Sequence, residues 1–131
     1  MILNNSTINE YIGLLSNFLD RKDIIGYAAA RNTRIFKDAC VEYNSIRDEL
    51  IAKYGEQEID TDGNYTGRSF ITTSSSNISK FVSELEPYAI IEHDVTIFKI
   101  PYSEVIGKLT GSEILEIDWM LEDSDSPRDC S

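Results

Sequence analysis

Residues 23–54, DIIGYAAARNTRIFKDACVEYNSIRDELIAKY, contain no proline and only one glycine, Gly26, near the start. A stretch so free of breakers predicts one very long helix, capped by Asp23 and stopped by Gly55. Ile35, Ala39, Tyr43, Ile46, Leu50 and Tyr54 recur within it at spacings of three and four. Such a stripe is narrow enough for coiled-coil-like packing against one partner helix. On the N-terminal side, Thr7-Ile-Asn-Glu10 has the pattern of a capping box, and Ile8, Tyr11, Ile12, Leu15, Phe18 and Leu19 share one face of the helix it would open. The two segments read as a helical hairpin with Leu15, Phe18, Ile35, Tyr43, Ile46 and Leu50 in its core.

Beyond Gly55 the periodicity changes. Asp62-Gly63 is a turn signal and RSFITT (68–73) is rich in β-branched and aromatic residues, which predicts a short β-hairpin. SSSNIS (74–79) breaks the chain and can cap a helix over ISKFVSELE, ended or kinked by Pro87. HDVTIFKI (93–100) alternates like a strand. A last helix is expected from Glu113 to Leu121, with Thr110 or Ser112 as cap and Ile114, Ile117 and Leu121 buried. The predicted fold is therefore α+β and mainly α: an N-terminal helical hairpin with one long helix, a short β-hairpin and small C-terminal helices. Residues 1–123 are expected to form one domain, and 124–131 a disordered acidic tail.

The 131 residues are 41% hydrophobic and 27% charged, a globular composition, and their formal net charge is -11. So acidic a chain does not wrap nucleic acid or an anionic membrane directly, because both need a cationic footprint. The charge is uneven. Residues 21–54 hold seven Lys/Arg and five Asp/Glu, net +2, whereas residues 81–131 hold three and twelve, net -9. Cys40 and Cys130 are too far apart in sequence to suggest a disulfide framework. No apolar run approaches the roughly 20 residues of a membrane span, and the first residues lack a basic segment followed by an apolar one. The expected location is the cytoplasm, where the N-x-S/T triplets at Asn5, Asn64 and Asn77 are chance matches.

Catalytic chemistry finds little support. His93, the one histidine, lies between Glu92 and Asp94 and reads as a polar residue opening a strand. Asp60, Asp62 and Asn64 alternate like the start of a calcium loop, but the positions that should hold Gly and Glu carry Tyr65 and Ile71, so a plain turn is expected. Phosphate loops, nucleophile elbows and zinc ligand sets do not occur, and no catalytic residue, cofactor or metal is assigned.

Two surfaces stand out for binding. Glu113, Glu116, Asp118, Glu122 and Asp123 surround Trp119 in a dense anionic segment, suited to a protein with a basic surface. Arg31, Arg34 and Lys37 share one helix face, which could receive a phosphate or an acidic partner. In so acidic a chain they are expected to pair with its own C-terminal half.

Phe18-Leu-Asp-Arg-Lys through Gly26, then Ala30-Arg-Asn-Thr-Arg-Ile-Phe-Lys37 running into a helix that closes with Ala52-Lys-Tyr-Gly55, resembles a family of short phage proteins of unknown function. Members begin with a short helix, continue with a long one carrying an Arg-x-x-Arg-aromatic segment, and follow with an Asp-Gly turn. The similarity extends loosely over residues 3–122. It implies a phage or prophage origin and no known activity. Together these readings favour a non-enzymatic protein-binding module, monomeric or a small homo-oligomer, that inhibits a host nucleic-acid-handling or defence enzyme in the manner of anti-CRISPR proteins. The alternative is a phage structural or assembly adaptor that oligomerises through its long helix.

Overall fold

The breaker-free stretch folds as two helices rather than one. In the computed structural model, which describes residues 1–123, α2 spans Ile24–Ala39 and α3 spans Val41–Tyr54. Cys40 between them has φ -113° and ψ 24°, outside the helical basin. Its buried Sγ accepts a hydrogen bond from Asn44 Nδ2 at 3.3 Å, and its carbonyl accepts the Asn44 N–H at 2.9 Å. The helical run is thus interrupted at Cys40 without glycine or proline. The expected stripe is therefore interrupted. Tyr43 is buried, but Ile35, Ala39, Ile46, Leu50 and Tyr54 are only half-buried. The reading of residues 124–131 as a disordered tail lies outside the described residues.

The class is α+β and mainly α. β1 (Ile2–Asn4), α1 (Asn5–Leu15), a 3-10 turn at Ser16–Phe18, α2 and α3 are followed by β2 (Glu56–Ile59), β3 (Tyr65–Phe70) and α4 (Ile78–Ala89). Then come β4 (Glu92–Asp94), β5 (Ile100–Pro101), a 3-10 turn at Tyr102–Glu104, α5 (Gly111–Glu116), a second turn at Asp118–Met120 and β6 (Leu121–Glu122). The strands form three two-stranded sheets, β1 with β4, β2 with β3, and β5 with β6.

The described residues form two compact units, one built from residues 1–3, 7–39 and 93–123, the other from 4–6 and 40–92. In the first, Ile8, Leu15, Phe18, Ile25, Ala28, Ala29, Phe36, Ile100, Val105, Ile117 and Met120 form the buried core. Helix α1 starts at Asn5, two residues before the expected Thr7 cap. The Asp23 cap is present: its Oδ1 accepts the Gly26 N–H at 3.2 Å, and Arg21 binds the same carboxylate at 2.7 Å. Gly26 is needed there, since a Cβ would run into the Arg21 carbonyl oxygen.

The α2 face turned to this core carries Ile25, Ala28, Ala29, Asn32 and Phe36, one position off the expected Ile35–Ala39 line. Asn32 is fully buried and binds both backbone groups of Phe98, donating to its carbonyl at 2.8 Å and accepting its N–H at 2.6 Å. That amide does what a neighbouring strand would do. It accompanies the shrinkage of the predicted strand over 93–100 to β4 and β5, with residues 95–99 outside any strand. The C-terminal helix is also shorter than expected. Thr110 caps it in a full capping box with Glu113, but it ends at Glu116, and Leu121 instead joins β6, in parallel register with Ile100.

In the second unit, β2 and β3 form the predicted hairpin. Asp60 Oδ1 accepts the N–H groups of Asp62 and Asn64, both at 2.9 Å, while Gly63 at φ 84° closes the turn. These bonds commit Asp60 to the turn, in agreement with the sequence expectation. The register shifts between Gln57 and Ile59, opposite a stretch that contains Gly67 at φ 91°. Pro87 neither ends nor breaks α4, which continues through it to Ala89. The proline sits in the final turn, where it removes one N–H from the ladder.

Candidate functional site

The acidic C-terminal segment is assembled in the first unit by α5, the Asp118–Met120 turn and β6. Its carboxylates have different employments. Glu113 Oε1 accepts the Thr110 N–H at 2.9 Å and so completes the cap, while Asp118 accepts from the Tyr102 hydroxyl. Glu116 and Glu122 are half-buried and Asp123 is exposed, and no ion pair engages any of the three among the described residues.

Trp119 is built into the fold. Its ring stacks on Tyr11 with centroids 4.3 Å apart and planes within 2°, Phe36 tilts against it at 5.6 Å, and its Nε1–H donates to the Glu116 carbonyl at 3.0 Å. These contacts leave it half-buried. The side chain that projects is Leu115, 77% exposed and the most open large hydrophobic residue among those described, with Ile106 next at 69%. Sequence reading passed over Leu115. The signal was its position off the Ile114–Ile117–Leu121 stripe, which leaves an apolar residue facing away from the core.

The second candidate face, also in the first unit, lies on the outside of α2. Arg31, Arg34 and Lys37 are all exposed, and among the described residues none of them pairs with a carboxylate. The expected pairing with the C-terminal half is thus not seen with residues 81–123, while Asp125 and Asp129 lie outside the described residues. Arg31 has aromatic partners instead. Its Nη1 donates to the Tyr27 hydroxyl at 2.9 Å, and its guanidinium lies 5.1 Å from the Phe98 ring centroid and 5.8 Å from that of Tyr27. Shallow troughs flank Arg34 on both sides, sharing Ala30 and Asp38; Tyr27, Arg31 and Ile35 complete one, and Leu19, Thr33 and Lys37 the other.

No family model matches the chain, and neither a curated protein nor a solved structure is significantly similar to it. No grouping of His, Cys, Asp and Glu able to hold a metal ion occurs among the described residues. His93 is half-buried in β4, and the neighbouring Asp94 takes the Met1 ammonium at 3.3 Å. Among the described residues no helix is long and apolar enough to cross a membrane.

Proposed function

We propose that this chain is a non-enzymatic protein-binding module of phage origin, acting in the host cytoplasm through its acidic C-terminal segment. The reading is carried by Leu115: a leucine 77% exposed on a helix that also bears Glu113 and Glu116, with Asp118 just beyond. An apolar side chain set among carboxylates matches a partner whose small apolar pocket is rimmed by Lys and Arg. Burial of the leucine supplies affinity, and the carboxylates supply orientation and association rate. Basic rims of this kind belong to proteins that handle nucleic acid, so the partner we favour is a host nucleic-acid-handling or defence enzyme, inhibited by occupation of its groove. The stripe behind the adaptor reading is interrupted at Cys40, which leaves Leu115 as the better-supported contact.

The test is a pulldown from a bacterial lysate, followed by association kinetics at two ionic strengths against the captured protein. Glu116→Lys, Glu122→Lys and Asp123→Lys together should slow association and flatten its salt dependence, while Leu115→Ser should speed dissociation. Glu113 and Asp118 are left intact because they hold the cap and the Tyr102 hydroxyl. Kinetics identical to wild type in both variants would refute the proposal.

A further inference from the structure

The outer face of α2 goes beyond that reading. Arg31, Arg34 and Lys37 stand within two helical turns on a chain of net charge -11, yet none is neutralised by a carboxylate among the described residues. Arg31 is also held in place. The Tyr27 hydroxyl takes one of its donors, while the Tyr27 and Phe98 rings support the guanidinium and leave its charge intact. A cation immobilised in advance loses less entropy when it binds. Beside the cations the surface is low and mixed: Ala30 is exposed, with Leu19 (41% exposed) and Tyr27 (51% exposed) at the two sides and Asp38 in both troughs.

We infer that this face is a docking surface for an acidic amphipathic helix of a partner protein. Its carboxylates would meet Arg31, Arg34 and Lys37, and its apolar side chains would settle over Ala30 between Leu19 and Tyr27. Charge complementarity selects the sign of the occupant, and spacing selects its kind. Arg31 and Lys37 lie about 9 Å apart along the helix axis. Glutamates one and two turns apart on a partner helix match that spacing, whereas a single phosphate matches it only where the side chains fold inwards to meet it. A nucleic-acid strand is a poor match, because its unbroken row of phosphates must pass Asp38, which lines both troughs. A peptide can present a neutral or basic residue to Asp38 instead.

The probe is a fluorescently labelled peptide of about three helical turns with glutamates and leucines at i, i+3 and i+4 spacings. Anisotropy should report salt-sensitive binding to the full chain, weakened about ten-fold or more by Arg34→Glu with Lys37→Glu and tightened by Asp38→Asn. Ala30→Gln, a good helix former at an exposed site, should block the trough without changing the charge of the face and serves as the second variant should the double reversal fail to fold. Leu115→Ser should leave the peptide affinity unchanged, which separates this surface from the one on α5. Any of four results would overturn the inference: no binding, unchanged affinity in the Arg34/Lys37 and Ala30 variants, stronger competition by inorganic phosphate or a single-stranded oligonucleotide than by unlabelled peptide, or a doubled mass in light scattering that assigns the face to a second copy.

Discussion

Replacing Asn32 should cost about as much stability as truncating one of the buried apolar residues around it. Its amide is wholly enclosed and holds both the N–H and the carbonyl of Phe98 at 2.6 and 2.8 Å. Asn32→Leu keeps the volume and improves local hydrophobicity, yet it strands two backbone groups. Each stranded group costs about 1–3 kcal/mol when water cannot replace the partner. Phe98 is half-buried, so partial rehydration places the expected loss near the lower half of the combined range, about 2–4 kcal/mol. For a domain whose whole stability is about 5–15 kcal/mol this is a large fraction. Chemical denaturation of wild type and Asn32→Leu measures the difference, and hydrogen exchange at the Phe98 amide localises it, since that N–H should lose its protection well before the helical amides do. Asn32→Asp retains the acceptor but buries a charge and loses the donor, and should be no better than Asn32→Leu. An Asn32→Leu variant as stable as wild type, with the Phe98 amide still protected, would refute the claim that this side chain stands in for a strand.

Gly26→Ala should destabilise by about 1–3 kcal/mol in thermal or denaturant unfolding, despite the higher helix propensity of alanine, because its Cβ has no room against the Arg21 carbonyl. The Asp23 carboxyl is held below its usual range, chiefly by its hydrogen bond from Arg21 and further by the Gly26 N–H. The stabilisation from this depressed carboxyl is present above the unfolded carboxylate pKa of about 4 and is lost as pH falls through the lower folded value. Asp23→Asn should accordingly flatten the acid limb of a stability-versus-pH curve; an identical slope would show that the Arg21–Asp23 contact does not form in solution. Thr33→Val should hold or raise stability by about 1 kcal/mol, as the Thr33 Oγ1 is buried without a hydrogen-bond partner among the described residues, and a clear loss would reveal a bond to that oxygen.

Where residues carry their own local chemistry, the sequence was legible. Asp23, Thr110 and the Asp60–Gly63 turn act through hydrogen bonds a few positions away, and each is found close to where the pattern put it. The break at Cys40 was hidden because neither neighbour is a breaker, and the Asn44–Cys40 side-chain bond beside it has no established turn signature. Asn32 misled for a related reason: a polar residue in an apolar line shifts the apparent buried face by one position towards Ile35. β1, β5 and β6 are two or three residues long, too short for any alternation to register. Of the candidate surfaces, the charged residues could be named from sequence, but their employment could not. That Glu113 is spent on a cap, that Trp119 is stacked on Tyr11, and that Arg31 leans on Phe98 all depend on contacts distant in the chain or on rotamers.

The β2–β3 hairpin has all but one of its strand residues exposed, and its reversal is held by local bonds around Asp60 and Gly63. An element that draws so little on a buried interior makes few demands on the rest of the chain. Residues 60–64 are therefore the place where length can change with the least penalty: a peptide epitope or a fluorophore-binding tag spliced there would extend a turn already in water. The same independence marks this loop as the segment where relatives of the chain would be free to diverge in length while keeping both cores.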